Sequence, residues 1–196
     1  MHSGPAAILS ELRSGTRDLH ERVEAAVDWS GSSSSLPRYV SLLRKMLGFH
    51  KPVERLVAGQ EELLAALPDI GQRQRVPLLE RDLRALGAGA AGIEECRELP
   101  PVQPVAAGLG VLYVLEGSTL GGQVLARMAR ERLGVGEENG GSFFLGYGAR
   151  TGEMWKRLTE TITAHWHERP DEGRLMVGAA RDTFSCFEKW LQTGDD

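Results

Sequence analysis

Cysteine is nearly absent from this chain: Cys96 and Cys186 are its only two among 196 residues. They lie far apart and form no CxxC pair, which excludes a disulfide-framed scaffold, a thiolate metal site and a dithiol redox motif, and leaves two free thiols as the expectation. Charge of one sign is lacking too. With 23 basic and 27 acidic side chains the formal net charge is -4, and no run of Lys or Arg offers a patch for nucleic acid or a membrane surface. Neither is expected as a partner. Long apolar runs are also missing, since no stretch approaches the roughly 18 uninterrupted apolar residues of a membrane span. The N-terminal "MHSGPAAILSELRSGTRDLHERVE" has no secretory apolar core, so a cytoplasmic location is expected.

β-branched runs are scarce as well, and apolar residues recur at three and four positions instead of two. An all-α fold follows, and 196 residues with 41% hydrophobic content suffice for one domain with a proper core. The spacing predicts a first helix from about Pro5 to about Asp28, with a polar connection over residues 30–37. A second helical stretch, "RYVSLLRKMLGFHKPVERLVAGQEELLAAL", contains Pro52, which should kink or split it because proline cannot donate the backbone hydrogen bond. "VPLLERDLRALG" should stop at Gly87, before a loop over residues 87–92. A long helix should end near Leu133, and two more should span about 149–168 and 172–192. No internal repeat or second domain is apparent, so 1–196 reads as a single domain, with 1–4 and 193–196 as flexible ends.

What the chain has in excess is glycine in the wrong place. In "YVLEGSTLGGQVLARMARERLG", residues 113 to 134, Leu115, Leu120, Val124, Leu125 and Met128 recur at helical spacing, yet Gly117, Gly121 and Gly122 sit in the helix interior. Each should cost roughly 1 kcal/mol relative to Ala. Close packing of a second helix on the GxxxG pair is one reading. It does not easily account for Gly122, nor for Gly108 and Gly110 upstream, whereas a flat ligand lying on the backbone does.

On the first helix, at 100° per residue, Leu9, Leu12, Val23 and Val27 fall within about 80° of His20 on one side, and Arg13, Arg17 and Glu24 within about 60° on the other. His20 thus borders an apolar and a cationic face. It can be a core-edge histidine or a metal ligand. Glu24, at i+4, could hold the second ring nitrogen and fix the tautomer, and the arginines suit the carboxylates of an anionic ligand. The flat, anionic ligand that a single His coordinates is haem. The other histidines say less: His165 and His167 are about 200° apart on a helix and cannot share a metal, His50 reads as surface or supporting packing near Pro52, and His2 lies at the terminus.

"LRSGTRDLHERVE" and "YVLEGSTLGGQVLAR" together resemble the haem oxygenases, the first their proximal helix and the second their glycine-rich distal helix. The second motif is most similar to the bacterial members that accompany bacteriophytochromes. The resemblance implies a helical fold with haem between the proximal helix and a kinked distal helix. It implies His20 as axial iron ligand, Glu24 as its hydrogen-bond partner, and Gly117, Ser118, Gly121 and Gly122 as the distal catalytic segment. Arg13 and Arg17, and more weakly Lys156, would meet the haem propionates, and Phe184 and Phe187 would wall the pocket. Where mammalian members carry Asp after the first distal glycine, this chain has Ser118, which can hold one or two waters but supplies no carboxylate.

The implied reaction uses haem as substrate and cofactor and consumes oxygen. It releases biliverdin, expected as the alpha isomer, with carbon monoxide and ferrous iron, and a bacteriophytochrome is the implied recipient. Neither "GLGVLYVLEG" nor "GVGEENGG" makes a dinucleotide site, so electrons must come from an external ferredoxin or reductase. Two rivals stand beside this reading: a non-enzymatic haem carrier or sensor, which needs His20 and the arginines but not close-fitting distal glycines, and a ligand-free helical interaction protein.

Overall fold

The computed structural model describes residues 6–27 and 35–193. The expected helix ends at Pro5 and Asp28, most of the 30–37 connection, His2 and the chain ends apart from Thr193 lie outside the described residues. Within them the fold is all-α with no strand. Eight helices follow in order: α1 Ala6–Val27, α2 Leu36–Ala58, α3 Glu61–Ala66, α4 Val76–Ala85, α5 Val105–Leu133, α6 Ser142–Leu145, α7 Thr151–Glu168 and α8 Gly173–Gln192. The short α6 was not apparent in the sequence, because four residues are too few to show a helical period.

Pro52 does not split α2. The carbonyl that loses its helical donor to Pro52 is that of Gly48, four residues back. It accepts from the Cys96 N–H at 2.9 Å instead. Gly48 makes this possible, since a Cβ there would collide with the Glu94 carbonyl and lie 2.6 Å from the Trp190 ring. The break comes later, at Gly59, which separates α2 from α3. Both cysteines are free, Cys96 buried and Cys186 half-buried.

α5 is the central helix. From Ala106 to Leu112 it is buried on every side, as a core helix apolar all round should be. By length and composition it could cross a membrane, but 67% of that apolar stretch is buried inside the fold. It ends where Gly134 takes φ +68°, a left-handed cap whose N–H bonds back to the Arg130 carbonyl while the Val135 N–H bonds the Ala129 carbonyl.

α5 packs most heavily on α8, and so does α1, while α1 and α5 scarcely touch each other. A Cβ at Gly110 would collide with the Met176 carbonyl oxygen and lie 3.2 Å from the Ala180 nitrogen, so α5 and α8 meet backbone to backbone here. On α1, Ile8, Leu12, Leu19 and Val23 face inward. Leu9 and Val27, placed on the core stripe by spacing, are only half-buried. Both fall within about 20° of His20 around the helix, at the edge of the gap between α1 and α5.

Beneath α5 lies a buried ionic cluster. Arg73 donates to both oxygens of Asp69 at 2.7 and 3.0 Å, to Glu116 of α5 at 2.8 Å and to the Met154 carbonyl of α7 at 3.1 Å. Burial pushes the Asp69 carboxyl upward, but the bonds and charges of Arg73 and Arg157 outweigh it and hold it below the usual range.

Two outcomes follow from this packing. Gly110→Ala should lose about 2–3 kcal/mol in urea unfolding, overpacking outweighing the helix-propensity gain; an unchanged midpoint would refute the backbone contact. Asp69→Asn should lose about 3 kcal/mol at neutral pH, since Arg73 is left undercompensated. Because the folded carboxyl is depressed, Asp69's contribution is present above the unfolded value of about 3.9 and lost as pH falls through the folded one. Wild-type and variant unfolding midpoints should therefore converge below about pH 4.

Candidate functional site

α8 forms the floor of the gap, and α1 and α5 are its walls. His20 is 53% exposed on the α1 wall, with its ring edge-on to buried Phe184 of α8 at 5.7 Å between centroids. Its Nδ1 lies 3.4 Å from Glu24 Oε2. With Nδ1 turned to the carboxylate, Nε2 is the nitrogen left to bind a ligand.

The glycines of α5 divide into two kinds. Gly108 abuts Leu63 and the Val102 carbonyl, Gly110 abuts α8, and a Cβ at Gly122 would sit 2.9 Å from the Phe144 carbonyl oxygen. Helix and chain packing accounts for all three. Gly117 and Gly121 are different. A Cβ at Gly117 would meet only the Trp155 ring, at an ordinary 3.7 Å, and at Gly121 nothing lies within 4 Å. On the same face, within about 60° of Gly117, are Leu120 and Val124. They are 45% and 51% exposed, among the few large apolar residues that nothing covers. Their helical spacing in the sequence set them on one apolar stripe, and the structure leaves them exposed.

One electrostatic link joins the His20 face of α1 to the Gly117 face of α5. Arg13 falls about 20° from His20 around α1, and Tyr113 about 40° from Gly117 around α5. Burial raises the Tyr113 hydroxyl above its ordinary range, and the positive charge of Arg13 opposes this. Tyr113 also packs on Trp155 of α7 at 5.5 Å between centroids. Its signal in the sequence was its place one turn before Gly117.

The other expected site residues are arranged less directly. Arg17 pairs with Glu21 at 2.9 Å and Lys156 with Glu160 at 3.8 Å, both well exposed on their own helices. Phe187 packs on Phe49 at 4.8 Å between centroids. Ser118 is exposed, and its hydroxyl donates to the Leu115 carbonyl at 2.6 Å, leaving its lone pairs to accept from water. His165 bonds Glu172 at 2.8 Å, and no group of three or more potential metal-binding side chains occurs among the described residues.

Behind the glycine face, Glu116 accepts from Tyr147 Oη at 2.6 Å and from Arg73 at 2.8 Å. Burial raises its carboxyl, against the pull of Tyr147 and of two guanidinium groups. A cavity of about 20 Å³, room for one water, is lined there by His50, Glu54, Arg75 and Glu116 among others. Arg75 Nε is buried beside it without a partner among the protein atoms. His50, expected as surface or supporting packing, is buried and bonds Glu54 at 3.1 Å. A carboxylate in the apolar run "LYVLEG" was the available sign of this cluster.

The candidate residues combine an exposed imidazole on α1, bare backbone on α5, and a cation and a phenol. They fit a planar macrocycle with carboxylate arms, and a single-His iron ligand is haem's requirement. Because nothing touches Gly121, Gly121→Ala should raise the stability of the ligand-free protein by about 1 kcal/mol, the intrinsic helix gain. Denaturant unfolding without haem checks this, and a loss of stability would mean that Gly121 is a packing glycine like Gly110.

Three comparisons bear on the chain as a whole. It is 45% identical over 84 residues to a protein named heme oxygenase from Xanthomonas campestris pv. campestris (strain 8004). The matched stretch is 40% of this chain and 48% of that relative, so the chain spans about half the length of the relative it matches. A crystal structure of the NO- and CO-bound heme oxygenase from Neisseria meningitidis superposes with a TM-score of 0.78 over 96% of this chain and 94% of that one, at 22% identity, which shows a shared fold. The family model described as heme oxygenase matches residues 6–193, nearly the whole length, and the chain belongs to the heme oxygenase family.

Proposed function

We propose that this protein, acting as a single domain over residues 1–196, is a haem oxygenase that converts haem to biliverdin, the alpha isomer, with release of carbon monoxide and ferrous iron. The observation that carries this reading is the pairing of a half-exposed His20, its Nδ1 held toward Glu24, with a bare glycine face on the opposite wall of the same slot. Bound haem supplies both the iron at which oxygen is reduced and the ring carbon that is oxidised. Electrons come from an external ferredoxin or reductase. On the wording of the distal motif, the biliverdin passes to a bacteriophytochrome.

The chain's own residues bind, orient and shield. His20 Nε2 would ligate the iron, and Glu24 fixes the tautomer that leaves that nitrogen free. Arg13 and Tyr113 lie where they can receive propionates. Arg17 and Lys156 act through charge alone, since each is exposed and already paired. Phe184 holds the macrocycle off the core, with Phe187 behind it. Gly117 and Gly121 keep their face of α5 free of side chains, so that oxygen and water could enter beside a bound haem. Ser118 Oγ accepts from a water at that wall and places it to pass on a proton. Gly122 serves the site by seating α5 against Phe144.

Two variants test the reading. His20→Ala should still take up hemin, loosely, but without an imidazole signature in its ferric and ferrous-CO spectra; a wild-type spectrum would move the ligand elsewhere. Gly121→Leu should keep the imidazole signature and lose ring opening. Wild type given hemin, oxygen and reductant should lose its Soret band and gain the broad red absorption of biliverdin, with carbon monoxide released in proportion. A lasting haem complex that returns to the ferric state without carbon monoxide would mark a carrier or sensor instead.

A further inference from the structure

We propose that two ion pairs between α1 and α8, Asp18–Arg181 and Arg22–Glu188, set the roll of α1 about its axis and thereby aim His20; these four are positioning residues. The inference rests on the reading of His20 as the haem ligand. Both pairs are two-pronged. Arg181 Nη1 and Nη2 reach the two Asp18 oxygens at 2.8 and 3.1 Å, and Arg22 Nε and Nη2 reach the two Glu188 oxygens at 2.8 and 2.7 Å. Arg181 also donates to the Gly15 carbonyl. Planar forks of this kind fix orientation as well as distance.

Their placement is what matters for His20. At 100° per residue, Asp18 and Arg22 each lie about 160° from His20 around α1, on the far edge of the surface that meets α8. His20 is on the near edge, its ring against Phe184. The helices come closest beside the forks, since a Cβ at Gly15, about 20° from Arg22 around α1, would stand 2.8 Å from Val177 Cγ1. α1 is therefore held most closely to α8 on the side of the forks. The two forks hold one edge down, and the imidazole on the other edge has only Phe184 and Glu24 to steady it.

The pairs also select the register. Along both helices the contacts run in the same order, 15 with 177, 18 with 181, 20 with 184 and 22 with 188, so α1 and α8 are parallel. The acid is on α1 in the first pair and on α8 in the second. A slip of one turn in either direction would bring Arg22 toward Arg181 or Asp18 toward Glu188, like charge against like. Asp18 and Arg181 are each about half exposed, so that pair adds little to stability and its loss should leave the fold intact, whereas Glu188 is buried and needs Arg22 beside it.

Charge reversal tests this with two readouts, one of them independent of haem. Arg181→Asp alone sets two acids together, and Asp18→Arg with Arg181→Asp restores an inverted pair. In the haem-free protein, the imidazole proton shifts of His20 carry the ring current of Phe184. They should move in the single variant and return in the double, with far-UV circular dichroism unchanged throughout. In the haem-bound protein, the iron–imidazole stretching band should broaden and turnover should fall about tenfold in the single variant, while hemin affinity stays within about threefold. The double variant should recover both. A single variant with wild-type proton shifts and stretching band would overturn the proposal. So would a double variant that folds but recovers neither. If His20→Ala kept the wild-type iron–imidazole band, the ligand assignment would fail instead, and the haem-free proton shifts would still decide whether the pairs aim the ring.

Discussion

The site depends on the contact of two backbones, α5 against α8 at Gly110. Without a Cβ there, the main chains approach until the Met176 carbonyl occupies the place a side chain would take. This fixes α8 as a platform rigidly joined to α5. α1 lies on the same platform but hardly touches α5. The slot between them is therefore a consequence of where two helices sit on a third, not of contacts across it. Its α5 wall is set from behind as well, because Arg73 ties Glu116, one residue before Gly117, to Asp69 and to the start of α7.

Polarity is partitioned in the same way. The ion pairs under α5 are buried, and breaking one leaves a charge without water, so they hold elements in place at high stakes. On α1 the Asp18–Arg181 pair is solvated and contributes little to stability, so it can serve orientation without governing whether the chain folds.

Helix content, the order of the elements and the two motif-bearing helices were legible from period alone, because amphipathic spacing in α1 and a left-handed glycine stop in α5 are local properties. Three matters were not local. Pro52 was expected to interrupt α2, and whether it does depends on a donor 44 residues away in sequence, the Cys96 N–H. The interior glycines were grouped as one ligand-facing set, yet Gly108, Gly110 and Gly122 face Leu63, α8 and Phe144, partners that no spacing within α5 identifies. Leu120 and Val124 fitted an apolar stripe, and spacing cannot distinguish a stripe covered by protein from one left for a ligand. Tyr113 and Glu116 were passed over for the same reason: each acquires its role from a residue on another helix.

The uncovered strip at Leu120 and Val124 has a consequence for the life of the protein between reactions. On the proposed function, what shields those side chains is also what the reaction consumes. Every completed cycle then returns a greasy surface to water, and a chain short of haem carries it continuously. Surfaces of this kind promote self-association. Solubility would follow supply, with the substrate acting as a stabilising companion that the protein itself destroys.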